Sequence, residues 1–192
     1  KISIKKKSSN TSVTNGNSLY SLKGAVYGVY KSTADANANK NAVGKITLDA
    51  NATGSLSGLE KGTYYVREIT APAGYKLNTK VYTAKTSEGA TTVINTDDVP
   101  ETCNLQLQIT KKLRKNEQNR VNARTLRDTE FTLSFYPGGY YNQNEIKSKK
   151  ATKNWVIKEG APEVRVIENA DNTVTFRATI SNIPLGTMGL KE

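Results

Sequence analysis

Two side chains in this sequence fall on apolar strand faces where a charge is costly: one is a carboxylic acid and the other an amine. In Gly62-Thr63-Tyr64-Tyr65-Val66-Arg67-Glu68-Ile69-Thr70, strand alternation puts Tyr64, Val66 and Glu68 on one face and Tyr65, Arg67 and Ile69 on the other. The Ala71-Pro72-Ala73-Gly74-Tyr75 that follows cannot continue the strand, because Pro lacks a donor and Gly favours a turn. In Ile2-Ser3-Ile4-Lys5-Lys6 the same alternation gives Lys6 the face of Ile2 and Ile4. Burial pushes an amine towards its neutral, nucleophilic form and a carboxyl towards its protonated form. Two outcomes are open from these residues alone. Lys6 and Glu68 could form a buried or edge ion pair. Alternatively, a neutral amine could attack a carbonyl while the acid moves protons.

Composition removes most other chemistry. The 192 residues include no His and one Cys, Cys103. Intrachain disulfides, Cys/His zinc sites, Ser-His-Asp triads and Cys-His pairs are therefore excluded, and no cofactor or metal site is expected. Cys103 has no His to activate it and is expected to be a small buried or linker residue. The net charge of +11 is spread along the chain, with clusters at Lys5-Lys6-Lys7, Lys111 to Lys115 and Lys147 to Lys153. Neither a basic helix nor an aromatic-interleaved single-strand platform accompanies them. The expectation is a solvated Lys-rich surface and no nucleic-acid partner. No apolar run is long enough to span a membrane, so no membrane contact by this stretch is expected.

The periodic segments are short and separated by Gly, Asn, Asp and Pro, which predicts an all-β chain. Strands are expected around Ile2–Lys6, Tyr27–Tyr30, Lys45–Asp49, Leu59–Thr70, Val81–Lys85 and Thr91–Thr96. Ser8 to Ser18 is expected to be a loop, and Lys31 to Val43 a loop or short irregular helix. Asn51 to Gly54 should turn, and Ser87-Glu88-Gly89 is a plausible hairpin turn between its flanking strands. The acidic, Pro-containing Asp97 to Thr102 lacks periodicity and predicts a boundary, with domains at 1–99 and 100–192.

After it the pattern restarts. Leu105-Gln106-Leu107-Gln108-Ile109-Thr110-Lys111 repeats the first strand and again ends on an inward Lys, with Lys112 the alternative if the strand is bulged. Glu130 to Tyr136 matches the Tyr27-Val29 strand. Ser57 to Glu68 aligns without gaps on Ser181 to Glu192, pairing Val66 with Leu190 and Glu68 with Glu192. The second copy carries additional strands near Trp155-Val156-Ile157, Glu163 to Glu168 and Thr173 to Ile180, with a hairpin at Asp171-Asn172. It should lack its closing strand.

The first strand ending at Lys6, Leu22-Lys23-Gly24-Ala25 and the run from Gly62 to Tyr75 together resemble the Cna B-type (SpaA-like, prealbumin-like) domains of Gram-positive surface adhesins and pilins. The resemblance covers nearly all of the first half and, less tightly, the second. It implies a spontaneous intramolecular isopeptide bond between a first-strand Lys and a last-strand Asn, assisted by a central acid. Carried onto this chain, these are Lys6, Asn95 and Glu68; in the second copy Lys111 and Glu192 correspond, and the Asn partner should lie on a strand beyond Glu192. The implied fold is two tandem prealbumin-like or immunoglobulin-like β-sandwiches. The implied role is a structural stalk module, extracellular and cell-wall-anchored through a segment outside this stretch. Its partners would be neighbouring domains of the same surface protein, other pilin subunits or host extracellular matrix. It would not be an enzyme, since a self-cross-link turns over once. A rival expectation is an adhesin module gripping a matrix protein or anionic polymer through the Lys-rich second half, with Trp155, Tyr140 and Tyr141 as its surface.

Overall fold

The computed structural model describes residues 1–113 and 123–192. The chain divides into two compact units, Lys1–Glu101 and Thr102–Glu192.

In the first unit, β1 (Ile2–Ser8), β2 (Val26–Tyr30), β3 (Gly44–Thr47), β4 (Thr53–Leu56), β5 (Gly62–Thr70), β6 (Val81–Thr86) and β7 (Thr92–Asp98) form two sheets. One has the order β3-β2-β5-β6 and the other β4-β1-β7. All ladders are antiparallel except β1 with β7, which run parallel. The sheets close over Ile2, Ile4, Tyr27, Val29, Ile46, Tyr64, Val66, Ala84 and Ile94, all buried. Inward residues alternate with exposed ones along β1, β5 and β7, as a half-buried strand demands.

Two short helices decorate this frame, α1 (Thr11–Thr14) and α2 (Thr33–Ala38). The Ser32 side chain accepts from the Asp35 N–H and starts α2, and Asn39 ends it in the left-handed region at φ 51°. Arg67, on the outward face of β5, donates to the Ala36 and Asn37 carbonyls at that end, the first of which also accepts from the Asn39 N–H.

Three local expectations are revised. Asn51 to Gly54 begins a strand as well as a turn, and β4 then pairs with β1. Strands β6 and β7 are not a hairpin pair: each hydrogen-bonds in a different sheet, so Ser87 to Ala90 carries the chain across the sandwich. Nor is Asp97 to Thr102 an aperiodic linker, because β7 runs through Asp98 and the next strand starts at Thr102.

The second unit contains β8 (Thr102–Lys112), β9 (Phe131–Tyr136), β10 (Lys153–Ile157), β11 (Val164–Glu168), β12 (Thr173–Pro184) and β13 (Thr187–Lys191). A 3₁₀ helix spans Ala123–Asp128, and α3 (Gln143–Ile146) begins with a capping box between Asn142 and Glu145. The sheets are β10-β9-β13 and β11-β12-β8. They pack around Phe131, Leu133, Phe135, Ile157, Val174, Phe176 and Ile180. Cys103 is exposed on β8, so it is neither the buried nor the linker residue expected. Of the basic cluster Lys111 to Lys115, the last two residues lie outside the described residues.

The Ala71 to Tyr75 turn has a packing role. Tyr75 is buried edge-on against Tyr20, with ring centres 5.7 Å apart, and bridges to Pro100. The Tyr20 hydroxyl donates to the Glu101 carbonyl at 2.6 Å. Gly74 sits at φ +79°, and a Cβ there would lie 2.7 Å from the Leu19 carbonyl oxygen. Backbone strain and overpacking therefore coincide. Gly74→Ala is expected to destabilise the first unit by about 1–3 kcal/mol in urea unfolding, while the transition of the second unit stays in place.

Candidate functional site

Three strands from two sheets converge on one buried amine. Lys6 is carried by β1, and its side chain is fully shielded from solvent. Its Nζ lies 2.7 Å from Glu68 Oε1 on β5, 2.6 Å from Asp98 Oδ1 on β7 and 2.5 Å from the Tyr27 hydroxyl on β2. The Tyr27 hydroxyl also pairs with Thr96 Oγ1 at 2.9 Å. The second Glu68 oxygen accepts from the Asn78 N–H at 2.8 Å, and the Asn78 side chain donates to the Asp97 carbonyl. Glu68 is thereby held by backbone on one side and by Lys6 on the other. Asp98 differs. It sits at ion-pair distance from Lys6, and no donor other than that ammonium meets its oxygens among the described residues.

Lys6 and Glu68 thus stand together, buried, as their strand parity required. Asn95 does not join them. It is exposed, and in the parallel β1–β7 ladder it pairs with the outward Lys5, whereas Lys6 pairs with Thr96. Val93, on whose face Asn95 was placed, is 46% exposed. The inward face of β7 is Ile94, Thr96 and Asp98, and Asp98 occupies the position assigned to Asn95. The signal for Asp98 was present in the alternation. It was lost by ending the strand at Thr96 and treating Asp97 and Asp98 as linker. Tyr27 and Thr96 were also missed as polar members of the site.

The cluster holds one amine against two carboxyls. Burial pushes the Glu68 carboxyl above its ordinary range, against the hydrogen bonds from Asn78 and Lys6. For Lys6, burial alone would lower the proton affinity. The contacts to Asp98, Glu68 and Tyr27 outweigh it, and the net direction is up. The simple expectation of a neutral buried amine is therefore revised: Lys6 loses its proton only by passing it to a neighbour. Burial pushes the Tyr27 phenol up to about 12.

The family-level comparison matches the SpaA prealbumin-like fold domain over residues 1–100, slightly over half the chain and almost all of the first unit. The chain belongs to this family. No curated protein matches it. Among solved structures, it is similar to the Bacillus anthracis TIE protein at 20% identity, with a TM-score of 0.49, over 100% of this chain and 30% of that one. The group B streptococcus pilus 2b backbone protein is similar at 24% identity, with a TM-score of 0.38, over 52% of this chain and 40% of that one. BcpA, the major pilin subunit of Bacillus cereus, is similar at 14% identity, with a TM-score of 0.42, over 92% and 52%. This chain therefore spans between 30% and 52% of the length of these proteins.

The second unit repeats part of the first unit's strand arrangement. Lys111 forms an ion pair with Glu192, and Lys112 is exposed. The β9–β13 ladder pairs Leu133 with Leu190, as Val29 pairs with Val66 in the first unit. Leu190 is nevertheless 47% exposed, so it is not the buried counterpart of Val66 that the repeat suggested. Continued by one step, the ladder sets Phe131 beside Glu192, where Tyr27 stands beside Glu68. Trp155 packs against the second core, under the Lys153 ammonium at 4.7 Å from the ring centre. The Tyr141 hydroxyl donates to the Pro137 carbonyl, and Tyr140 is 71% exposed.

Three outcomes follow from this geometry. Asp98→Ala leaves Lys6 with Glu68 as its one carboxylate and is expected to cost about 1–3 kcal/mol in urea unfolding. Asn95→Ala should change stability by no more than about 0.5 kcal/mol. Above the ordinary phenol value near 10, an unfolded Tyr27 ionises while the folded one stays protonated to about 12. Stability should fall as pH rises through this window, and Tyr27→Phe should make the fall shallower in unfolding titrations.

Proposed function

We propose that the first unit is a self-locking structural module of a bacterial surface protein, its outer strands welded by an amide between Lys6 and Asp98. The observation that carries this reading is the 2.6 Å approach of Lys6 Nζ to Asp98 Oδ1, with both side chains shut off from solvent. Family membership supports it, because the resemblance set out above implies a Lys cross-linked to the last strand with an acid alongside.

The chemistry balances without a co-reactant. The Lys6 ammonium passes one proton to Glu68, whose burial raises its affinity for it. The neutral amine attacks the Asp98 carboxyl carbon and forms a C–N bond. Glu68 returns the proton, and with it one further proton from nitrogen converts an Asp98 oxygen to water as the C–O bond breaks. Ammonium and carboxylate become amide and water, and Glu68 ends as it began. The Tyr27 hydroxyl, fixed by Thr96, orients Lys6 and shields the site. Held in place by two sheets, the reacting groups need no encounter step, which is the main source of acceleration available here. The reaction occurs once per chain, so the unit is not an enzyme.

The bond would join β1 to β7, the first and last strands of the unit. For a loop of this length, the chain-entropy account of cross-links gives about 4–5 kcal/mol of stabilisation. Tension entering through β1 and leaving through β7 would pass along the amide, sparing the β-ladders. That property suits a stalk under pull, whose partners are the neighbouring domains of the same protein or other subunits of a pilus, on an extracellular, wall-anchored chain.

Intact-mass measurement of the purified chain tests the bond. The chain is expected to be lighter than its sequence by one water, with Asn95→Ala keeping the deficit. Lys6→Ala, Glu68→Ala and Asp98→Ala should each restore the full mass. A deficit of one ammonia abolished by Asn95→Ala would instead make Asn95 the partner, and a full-mass wild type would remove the cross-link altogether.

A further inference from the structure

The two carboxyls that meet Lys6 come from different sheets, Glu68 on β5 and Asp98 on β7. Residues 76–78, which lie between β5 and β6 and belong to no strand, tie both of them down. The Asn78 N–H donates to Glu68 Oε2 at 2.8 Å. The Asn78 side-chain Nδ2 donates to the Asp97 carbonyl at 2.8 Å, and the Lys76 N–H donates to the Val99 carbonyl at 3.0 Å. Asp98 is therefore flanked on both sides by anchored carbonyls, while its own backbone carbonyl accepts from the Ser9 N–H at 2.9 Å.

Both ends of the Asn78 side chain are specified. Nδ2 faces the Asp97 carbonyl and the Tyr82 hydroxyl, and Oδ1 accepts from the Lys80 N–H at 3.1 Å. A flipped amide would set oxygen against a carbonyl and NH₂ against an N–H. The backbone contact matters for the acid. A protonated carboxyl has one oxygen that donates and one that accepts. Glu68 Oε2 is held as an acceptor by Asn78, which leaves the proton to Oε1, the oxygen 2.7 Å from Lys6 Nζ. The same contact suits the ionised form, so a proton can arrive and leave without the carboxyl turning. Groups fixed in this way need no reorganisation at the moment of reaction.

We propose that Asn78 is a positioning residue for the amide-forming step: its backbone selects Glu68 Oε1 as the proton carrier, and its side chain holds β7 so that the Asp98 carboxyl stays against Lys6. Asn78 acts through Glu68 and the Asp97 peptide group, and donates to neither Lys6 nor the Asp98 carboxyl. This role rests on the Lys6–Asp98 reading and extends it. The pH dependence carries a sign. Glu68 must begin ionised to take the Lys6 proton, so the rate falls as pH drops through its pKa. Burial and the Asp98 charge raise that pKa, while the Asn78 N–H and the Lys6 ammonium lower it. The Tyr27 phenol also faces this carboxyl. A segment 76–78 that shifts and loosens the N–H contact therefore moves the acid limb of the rate profile to higher pH.

The rate of water loss in the freshly made full chain tests this. A short pulse of cell-free translation, transfer into a series of buffers, acid quenching at intervals and intact mass give that rate against pH. Asn78→Ala is expected to lose water about tenfold more slowly than the wild type, the scale of one positioned hydrogen bond, with its acid limb raised. Asn78→Asp keeps an acceptor for the Lys80 N–H but offers the Asp97 carbonyl no donor, and should be slowed as well. Ile2→Val removes one buried methyl group four residues before Lys6 and controls for stability alone; its rate and acid limb should match the wild type. A wild-type rate in Asn78→Ala, equal slowing by Ile2→Val, or slowing with the acid limb unmoved would each overturn the role of Asn78 and leave the amide standing. A wild-type chain that keeps its full mass would overturn both.

Discussion

A lysine ammonium shut away from water must be met by negative charge, and in the first unit that requirement connects both sheets. Lys6 takes Glu68 from one sheet and Asp98 from its own. Removing an ion from water costs several kcal/mol even after relaxation, so each partner is held in place by the penalty for its absence. The cluster sits among Ile4, Tyr27, Val66 and Ile94, which keep water out. Apolar packing and the polar cluster thus depend on one another. The core creates the low-dielectric site, and the cluster fixes the register in which the core closes.

The two carboxyls occupy unequal positions. Glu68 is held by the Asn78 N–H and by Lys6, with a raised affinity for a proton. Asp98 meets the Lys6 ammonium and, among the described residues, no further donor. An amine and an acid meet again at Lys111 and Glu192, where the pair is partly exposed.

Topology gives the cluster its mechanical meaning. β1 and β7 lie side by side and parallel although they are the first and last strands of the unit. That adjacency requires the crossing from β6 in one sheet to β7 in the other. A β6–β7 hairpin would have kept both strands in one sheet and left β1 an edge.

Much of this was legible in the residues. Alternation in Ile2 to Lys6 and Tyr64 to Glu68 identified the inward amine and acid, because a period of two leaves no freedom once one face is apolar. The gapless match of Ser57 to Glu68 with Ser181 to Glu192 located their counterparts. Local pattern could not determine where β7 ended, and one step of parity separates Asn95 from Asp98. Two adjacent aspartates before a proline resemble a solvated linker, and only the parallel pairing with β1 shows that the second of them is buried. Periodicity records which residues share a face. Which strands become neighbours is decided by long-range closure of the sandwich, and the direction of the Lys6 proton shift is decided by the charges that closure assembles around it.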